Sequence, residues 1–218
     1  DPEGGEVLRI GLEELLVATP TLMGGVIFMA TDEGFALAFD AETGARRWRS
    51  KFAVGCGNDS WSIGAAPGWL VMAGKTNAQM PWNDSVFGLS SENGQLRWQV
   101  QSTMLIFFTP SIVDDVFFFA DMTCTVSCIK LADGSKRWQE RVKGTGRSTG
   151  QVAVSSLGLL FQAVNRPGKK GWSAPYGGQG GVRAFDMRTG KKRWEQEFDL
   201  EANTAPAVLS AGPPGQPA

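Results

Sequence analysis

Histidine is absent from this chain of 218 residues. That removes the commonest general base, the commonest transition-metal ligand, and every Ser-His-Asp or Cys-His catalytic pair. An excess of either charge is missing too. Lys and Arg total 21 against 22 Asp and Glu, so no net basic field draws the chain to nucleic acid. There are three cysteines, Cys56, Cys124 and Cys128. An odd count builds no disulfide framework, and a lone C-x3-C is a poor zinc signature. Two readings of Cys124 and Cys128 stand open: a bridge across a strand-turn-strand segment, or small core residues. No apolar run reaches the ~18 residues of a membrane helix, so no transmembrane segment is expected; the clusters at 104–108 and 116–120 are strand-sized. The chain opens at Asp1 without a methionine and ends in "AGPPGQPA", which reads as a processed or truncated piece whose targeting information has been removed. "NDS" at Asn58 and Asn83 fits the N-glycosylation sequon, a triplet that also arises by chance.

What is present is a repeat. Four segments align without gaps: "AFDAETGARRW" (38–48), "GLSSENGQLRW" (88–98), "CIKLADGSKRW" (128–138) and "AFDMRTGKKRW" (184–194). Each places a glycine four residues before a tryptophan: Gly44 and Trp48, Gly94 and Trp98, Gly134 and Trp138, Gly190 and Trp194. The tryptophans follow one another at 50, 40 and 56 residues, a unit of about 40 residues with insertions in the second and fourth copies. A four-stranded propeller blade has that length.

Local chemistry agrees with strands. "GVIFMA" (25–30) and "DVFFFA" (115–120) are short β-rich runs, each followed by a polar turn and a further strand. Asp40 and Asp186 suit Asx turns, and Gly44 and Gly190 supply the positive φ of a tight hairpin. Beyond the turn the side chains alternate. Trp48, Ser50 and Phe52 share one face, and Arg47, Arg49 and Lys51 share the other. An indole recurring at one place in each blade is suited to wedge between neighbouring sheets and give its N–H to a turn carbonyl. The cations beside it read as a solvated outer-strand face.

A-x-D-x-x-T-G-x-x-x-W resembles the tryptophan-docking motif of the quinoprotein-type, PQQ-like repeat β-propeller family. Ala38, Asp40, Thr43, Gly44 and Trp48 match in full, as do Ala184, Asp186, Thr189, Gly190 and Trp194. The second and third copies keep only Gly and Trp, with Ser90, Asn93, Lys130 and Asp133 at the polar positions. "TPTLMGGVIFMA" (19–30) and "TPSIVDDVFFFA" (109–120) resemble the family's inner strands. The resemblance implies an all-β fold, a propeller of four-stranded antiparallel blades with about four repeats: 17–52, 53–102, 103–142 and 143–200. Residues 201–212 read as the inner strand of a further unit, 213–218 as a Pro/Gly tail, and 5–16 as the outer strand of a preceding unit. The family closes rings of seven or eight blades. Four copies therefore leave three readings: part of a longer protein, a half ring completed by a second copy or another subunit, or a small or open ring.

In an up-and-down blade with strands a to d, the b–c and d–a connections share one face of the disc. Both insertions, 75–84 and 166–181, are b–c connections, and the segments 55–61 and 143–150 are d–a connections. That places Asn58, Asp59, Trp61, Trp82, Arg147, Trp172 and Tyr176 on one face, as a partner-binding surface or as loop tips packed on the next blade. The segment 102–110 is unusually apolar for a connection and reads as a strand start or a surface beneath a partner. Dehydrogenases of the family hold pyrroloquinoline quinone and calcium on the ring axis. No position here matches those ligand motifs and there is no Cys-Cys dipeptide, so no cofactor, metal or catalytic residue is expected. The resemblance favours a non-catalytic interaction scaffold or accessory subunit, working outside the cytosol among protein partners. A dehydrogenase fragment and a sensor ectodomain are the alternatives.

Overall fold

The computed structural model of the chain describes residues 9–57, 62–102, 110–141, 152–165, 179–199, 202 and 206–208. Among the described residues, sixteen strands form four four-stranded antiparallel sheets, each in sequence order. Blade 1 is β1 (Thr21–Met23), β2 (Val26–Ala30), β3 (Phe35–Asp40) and β4 (Arg46–Lys51). Blade 2 is β5 (Gly64–Ala66), β6 (Trp69–Gly74), β7 (Ser85–Ser90) and β8 (Leu96–Gln101). Blade 3 is β9 (Ser111–Val113), β10 (Val116–Ala120), β11 (Thr125–Lys130) and β12 (Lys136–Arg141). Blade 4 is β13 (Val152–Val154), β14 (Leu159–Asn165), β15 (Gly180–Asp186) and β16 (Lys192–Phe198). The inner strands meet in chain order, β1 with β5, β5 with β9 and β9 with β13. The result is an arc of a β-propeller, the fold class expected from the repeat.

The two middle strands of each blade are buried on both faces and the outer strand is charged, which is why "VFFFA" and "KRWQER" sit two strands apart in one sheet. Apolar layers fill the joints between blades. The first joint packs Phe28, Ala38 and Phe52 against Leu70, Met72, Phe87 and Leu89. The second packs Val71, Val86 and Trp98 against Phe117, Phe119 and Ile129, and the third packs Phe118, Val126 and Cys128 against Leu160 and Phe185.

Each c–d hairpin closes in the same way. The turn glycine donates its N–H four residues back, Gly44 to Asp40 and Gly94 to Ser90, both at 2.9 Å, with φ of 71° in each case. In blades 1 and 4 the turn is braced by a carboxylate: Asp40 accepts from the Thr43 N–H (2.9 Å) and hydroxyl (3.0 Å), and Asp186 does the same with Thr189. A register shift follows at the same point of all four c–d pairs, a bulge that turns the tryptophan toward the next blade.

The tryptophan then joins two blades. Trp48 Nε1 donates to the Ser91 carbonyl at 3.2 Å, Trp98 to Leu131 at 2.7 Å and Trp138 to Met187 at 2.9 Å. Each ring also lies on the next blade's turn glycine. A Cβ at Gly94 would sit 2.7 Å from the Trp48 ring, and one at Gly190 would sit 2.6 Å from Trp138. Glycine is needed there twice, for the backbone sign and for the approach. How deep each indole sinks depends on the c-strand residue opposite it: Ala38, Gly88, Cys128 and Ala184. Opposite glycine, Trp98 sinks furthest, to 8% exposure, and stacks on Phe117 at 5.7 Å.

Of residues 5–16, expected as an outer strand of a preceding unit, the described residues 9–16 form no strand. Leu16 bridges Thr31 just beyond β2, as Gly55 bridges Lys75 just beyond β6, so the segment follows the path of a d–a connection. Ile10, Leu12 and Leu16 cover the back of blade 1 at Met29, Leu37 and Phe39. From 201–212, the described residues 202 and 206–208 lie outside any strand.

Several cations of the outer strands are exposed but engaged. Arg47 pairs with Asp40 and Arg193 with Asp186, both at 2.6 Å, and these contacts hold both carboxyls well below their usual range. Arg49 pairs with Glu14 (2.8 Å) and stacks over Phe35. In blade 4, Glu195 accepts from Arg183 (2.9 Å) and Lys192 (2.8 Å). Partial burial raises its pKa, but the two cationic donors outweigh that and bring it down to about 2.

Two outcomes are expected. Gly88→Ala puts a methyl inside the Trp98 ring and lowers the unfolding free energy by about 2–3 kcal/mol in urea titrations, while Gly11→Ala, whose methyl meets nothing within 4 Å, stays near neutral. Glu195 is depressed in the folded state, so its contribution is present above about pH 4.5 and fades as pH falls toward 2. Urea midpoints between pH 7 and pH 2.5 will show a shallower acid-side decline for Glu195→Gln than for the parent, from a lower starting stability.

Candidate functional surface

The b–c and d–a connections gather on one face, and buried polar residues hold the described part of it. The insertion between β6 and β7 leaves and rejoins the sheet through one carboxylate. Asp84 accepts from the Thr76 N–H (2.9 Å) and hydroxyl (2.6 Å), while its own carbonyl accepts from Ser102 (2.8 Å). Asn83 is fully buried and its side-chain oxygen accepts from the Gly57 N–H at 2.8 Å. That amide is structural, so its sequon is closed to modification in the folded chain. At the tip, Asn77 accepts from Gln79 and Met80. The loop is thus anchored at both ends of its neck and braced within itself.

Of the residues expected on this face, Trp82 is half-buried on the returning limb of that insertion. Asn58, Asp59, Trp61, Arg147, Trp172 and Tyr176 lie outside the described residues, as do residues 103–109 of the apolar segment 102–110. Two residues not singled out from the sequence join Trp82. Leu15 is 64% exposed and Val54 49% exposed, at matching places just before the bridging residues Leu16 and Gly55. An isolated leucine or valine in a polar segment carries no sequence signal; only the repeated path of the connection reveals them.

The second surface is the front of blade 4. Trp194 occupies the same position as the three joining tryptophans, yet it is 45% exposed, and Phe198 beside it is 43% exposed. With Phe161 and Val182 they form one wall of an apolar groove of about 540 Å³, and Pro206, Ala207 and Val208 form the other. Phe161 backs the indole at 5.7 Å.

The chemistry available on the described surface is binding. The inner strands, where axial ligands of a quinone and calcium would sit, read TLM, GAA, SIV and VAV and bring neither carboxylate nor amide inward. Among the described residues no group of three or more His, Cys, Asp or Glu is placed to hold a metal ion. The described inner-strand residues do not fit that cofactor. The three cysteines are buried and outside any disulfide, and desolvation pushes the thiols of Cys56 and Cys128 up to about 12, far from a reactive thiolate. They are core residues, and the bridge between Cys124 and Cys128 is not formed. Among the described residues no helix is long and apolar enough to cross a membrane.

Comparison with known proteins places the repeat. The family model described as outer membrane protein assembly factor BamB matches residues 125–212. The BamB of Shewanella oneidensis is 25% identical over 186 residues, covering 82% of this chain and 43% of that protein. The chain therefore spans less than half the length of this curated relative. Among solved structures, BamB from Moraxella catarrhalis superposes with a TM-score of 0.58 at 19% identity, over 88% of this chain and 64% of that one. The quinohemoprotein alcohol dehydrogenase of Comamonas testosteroni superposes with a TM-score of 0.65 at 14% identity, over 84% of this chain and 35% of that one. The two superpositions bear on fold alone. With the repeated turn, the four blades and the indole joints already described, the chain has a β-propeller fold, and its residues 125–212 are similar to the PQQ-like repeat of the matched family.

Proposed function

We propose that the chain is a non-catalytic protein–protein interaction scaffold, an accessory subunit of a larger assembly outside the cytosol. One observation carries this reading: the front of blade 4 is half of a joint. Three tryptophans in this arc are each matched by a turn glycine and a carbonyl, whereas Trp194 and Phe198 stand exposed beside an apolar groove. Burying a large apolar side chain is worth about 1.5–3 kcal/mol, so an exposed Trp–Phe pair on a preformed sheet favours association. The matching occupant is a blade-type turn, supplied by a further blade or by another subunit. Leu15, Val54 and Trp82 supply a second apolar element on the loop face. The name of the matched family, an outer membrane protein assembly factor, agrees with a place in an assembly and outside the cytosol.

A dehydrogenase fragment has less support, because its structural likeness lies at 14% identity and the inner strands lack cofactor ligands. Addition of pyrroloquinoline quinone and calcium is expected to give no alcohol oxidation, and clear turnover would reverse the assignment. Affinity purification from the native source is expected to recover a partner in fixed stoichiometry with the parent chain. Trp194→Asp should weaken that capture at least about tenfold while leaving the unfolding midpoint nearly unchanged. Equal capture by Trp194→Asp and by the double variant Leu15→Asp, Val54→Asp would remove both surfaces from the proposal.

A further inference from the structure

The connection from blade 1 to blade 2 is tied by backbone on both sides. Phe52 N–H donates to the Gly34 carbonyl of blade 1 at 3.0 Å. Toward blade 2, Val54 N–H donates to the Lys75 carbonyl at 3.0 Å, and Lys75 N–H returns to the Gly55 carbonyl at 2.8 Å. These ties frame a cleft of about 280 Å³ at the first joint. Its floor is apolar, because Phe52 and Phe87 lie buried and edge-on to one another at 5.3 Å. Val54 stands half-exposed at the lip, and Lys51, Lys75 and Gln99 stand around the rim.

The repeat shows why two lysines meet here. Lys75 follows the last residue of strand b in blade 2, where blades 1 and 3 have Thr31 and Asp121. Those two are buried and brace short b–c turns: Thr31 Oγ1 accepts from the Phe35 N–H at 3.3 Å, and Asp121 from the Thr123 N–H at 2.8 Å. In blade 2 the loop is longer and Asp84, on its returning limb, does the bracing through Thr76. The position of Lys75 is thereby released from turn duty. Lys51 ends strand d of blade 1, and at the second joint the matching places hold Gln101 and Asp121. The paired cations belong to the first joint.

Their charge is unmatched. The Lys51 ammonium lies over the Phe35 ring and gives one of its three donors to the Glu33 carbonyl. Among the described residues neither lysine forms an ion pair. Both act on one buried point: burial dominates the raised thiol of Cys56, and Lys75 and Lys51 are the cations that oppose it. Asp32, the carboxylate acting on that same thiol, pairs with neither. An apolar floor with two unpaired cations at its rim complements an apolar side chain flanked by carboxylates.

We infer that this cleft docks a short acidic segment of a partner protein, one apolar side chain resting on Phe52 and Phe87 and the carboxylates beside it meeting Lys51 and Lys75. The peptide form of the occupant rests on the scaffold reading above; the chemistry of the cleft does not.

The test uses the whole chain labelled with nitrogen-15, titrated with the capped peptide Gly-Glu-Phe-Glu-Gly while the backbone amides of Val54, Lys75 and Thr76 are followed. All three are expected to shift saturably, with an affinity that falls as salt is added. Lys51→Gln and Lys75→Gln should each weaken binding about two- to fivefold, and the double variant about tenfold. Exchanging both peptide glutamates for glutamine should cost about as much as the double variant. Exchanging the peptide phenylalanine for alanine should cost at least about tenfold. Tryptophan fluorescence confirms that the variants stay folded. The assignment is overturned by no saturable shift, by equal binding of the glutamine peptide, or by unchanged affinity in the folded double variant. Binding of 3-phenylpropionate as tight as that of the peptide also overturns it, in favour of a small organic acid. Peptide binding with no partner captured from the native source supports the cleft and removes the scaffold role; capture without peptide binding does the reverse.

Discussion

The arc depends on one contact, an indole laid on the turn of the next blade. A blade alone buries only half of what its two central strands present, and two sheets of similar curvature would slide over one another on apolar contact alone. The N–H of Trp48, Trp98 or Trp138 fixes the register, because one carbonyl lies within reach. The same turn has to close its own hairpin and leave that carbonyl outward. The left-handed glycine at the fifth residue of the turn satisfies both demands, since its N–H takes the carbonyl four residues back and its missing side chain leaves room for the ring.

That double duty explains why the fold was legible in the sequence. A residue under two constraints recurs at fixed spacing, so Gly and Trp kept their distance in four copies even where Ser90 or Lys130 replaced the turn aspartate. Asp40 and Asp186 brace their turns; Asn93 and Asp133 take over by accepting from Gln95 and Ser135 instead, so the aspartate position drifted without loss. What was not legible follows the same logic. Residues 5–16 were expected as a strand because they resemble the outer strand of a preceding unit. Apolar side chains at Ile10, Leu12 and Leu16 serve equally well to cover a sheet face from an irregular path. The exposure of Leu15 and Val54 had no periodic signature, and the depth of Trp98 depended on a single cross-strand glycine, Gly88, that only the strand register sets opposite it. Of the surface expected around the inserted loops, only Trp82 falls among the described residues.

The loop face is built to be shaped rather than soft. Asn83 and Asp84 are buried polar residues placed where the insertion leaves the sheet, and each takes hydrogen bonds from backbone that would otherwise be unpaired. A binding loop held at its neck loses less conformational entropy when a partner arrives. Cys124 shows the same economy: it adopts a φ of 62° in a turn where blade 1 has Gly34, and the surrounding Asp121, Thr123 and Thr125 contacts hold that turn in shape.

Blade fronts and backs have been held to different standards. Along the fronts the residue opposite each tryptophan is always small, Ala38, Gly88, Cys128 or Ala184, because the indole has to fit. Along the backs the matching row runs from Met and Leu, through Met and Phe, to Phe and Ser, and finally to Gln and Arg. The joint already secured by its indole does not require a particular side chain in that row, only one that fills the space or finds a partner. Variation therefore concentrates in the back row and at the last unmatched tryptophan. A change at either place leaves intact the contact that holds the blades together.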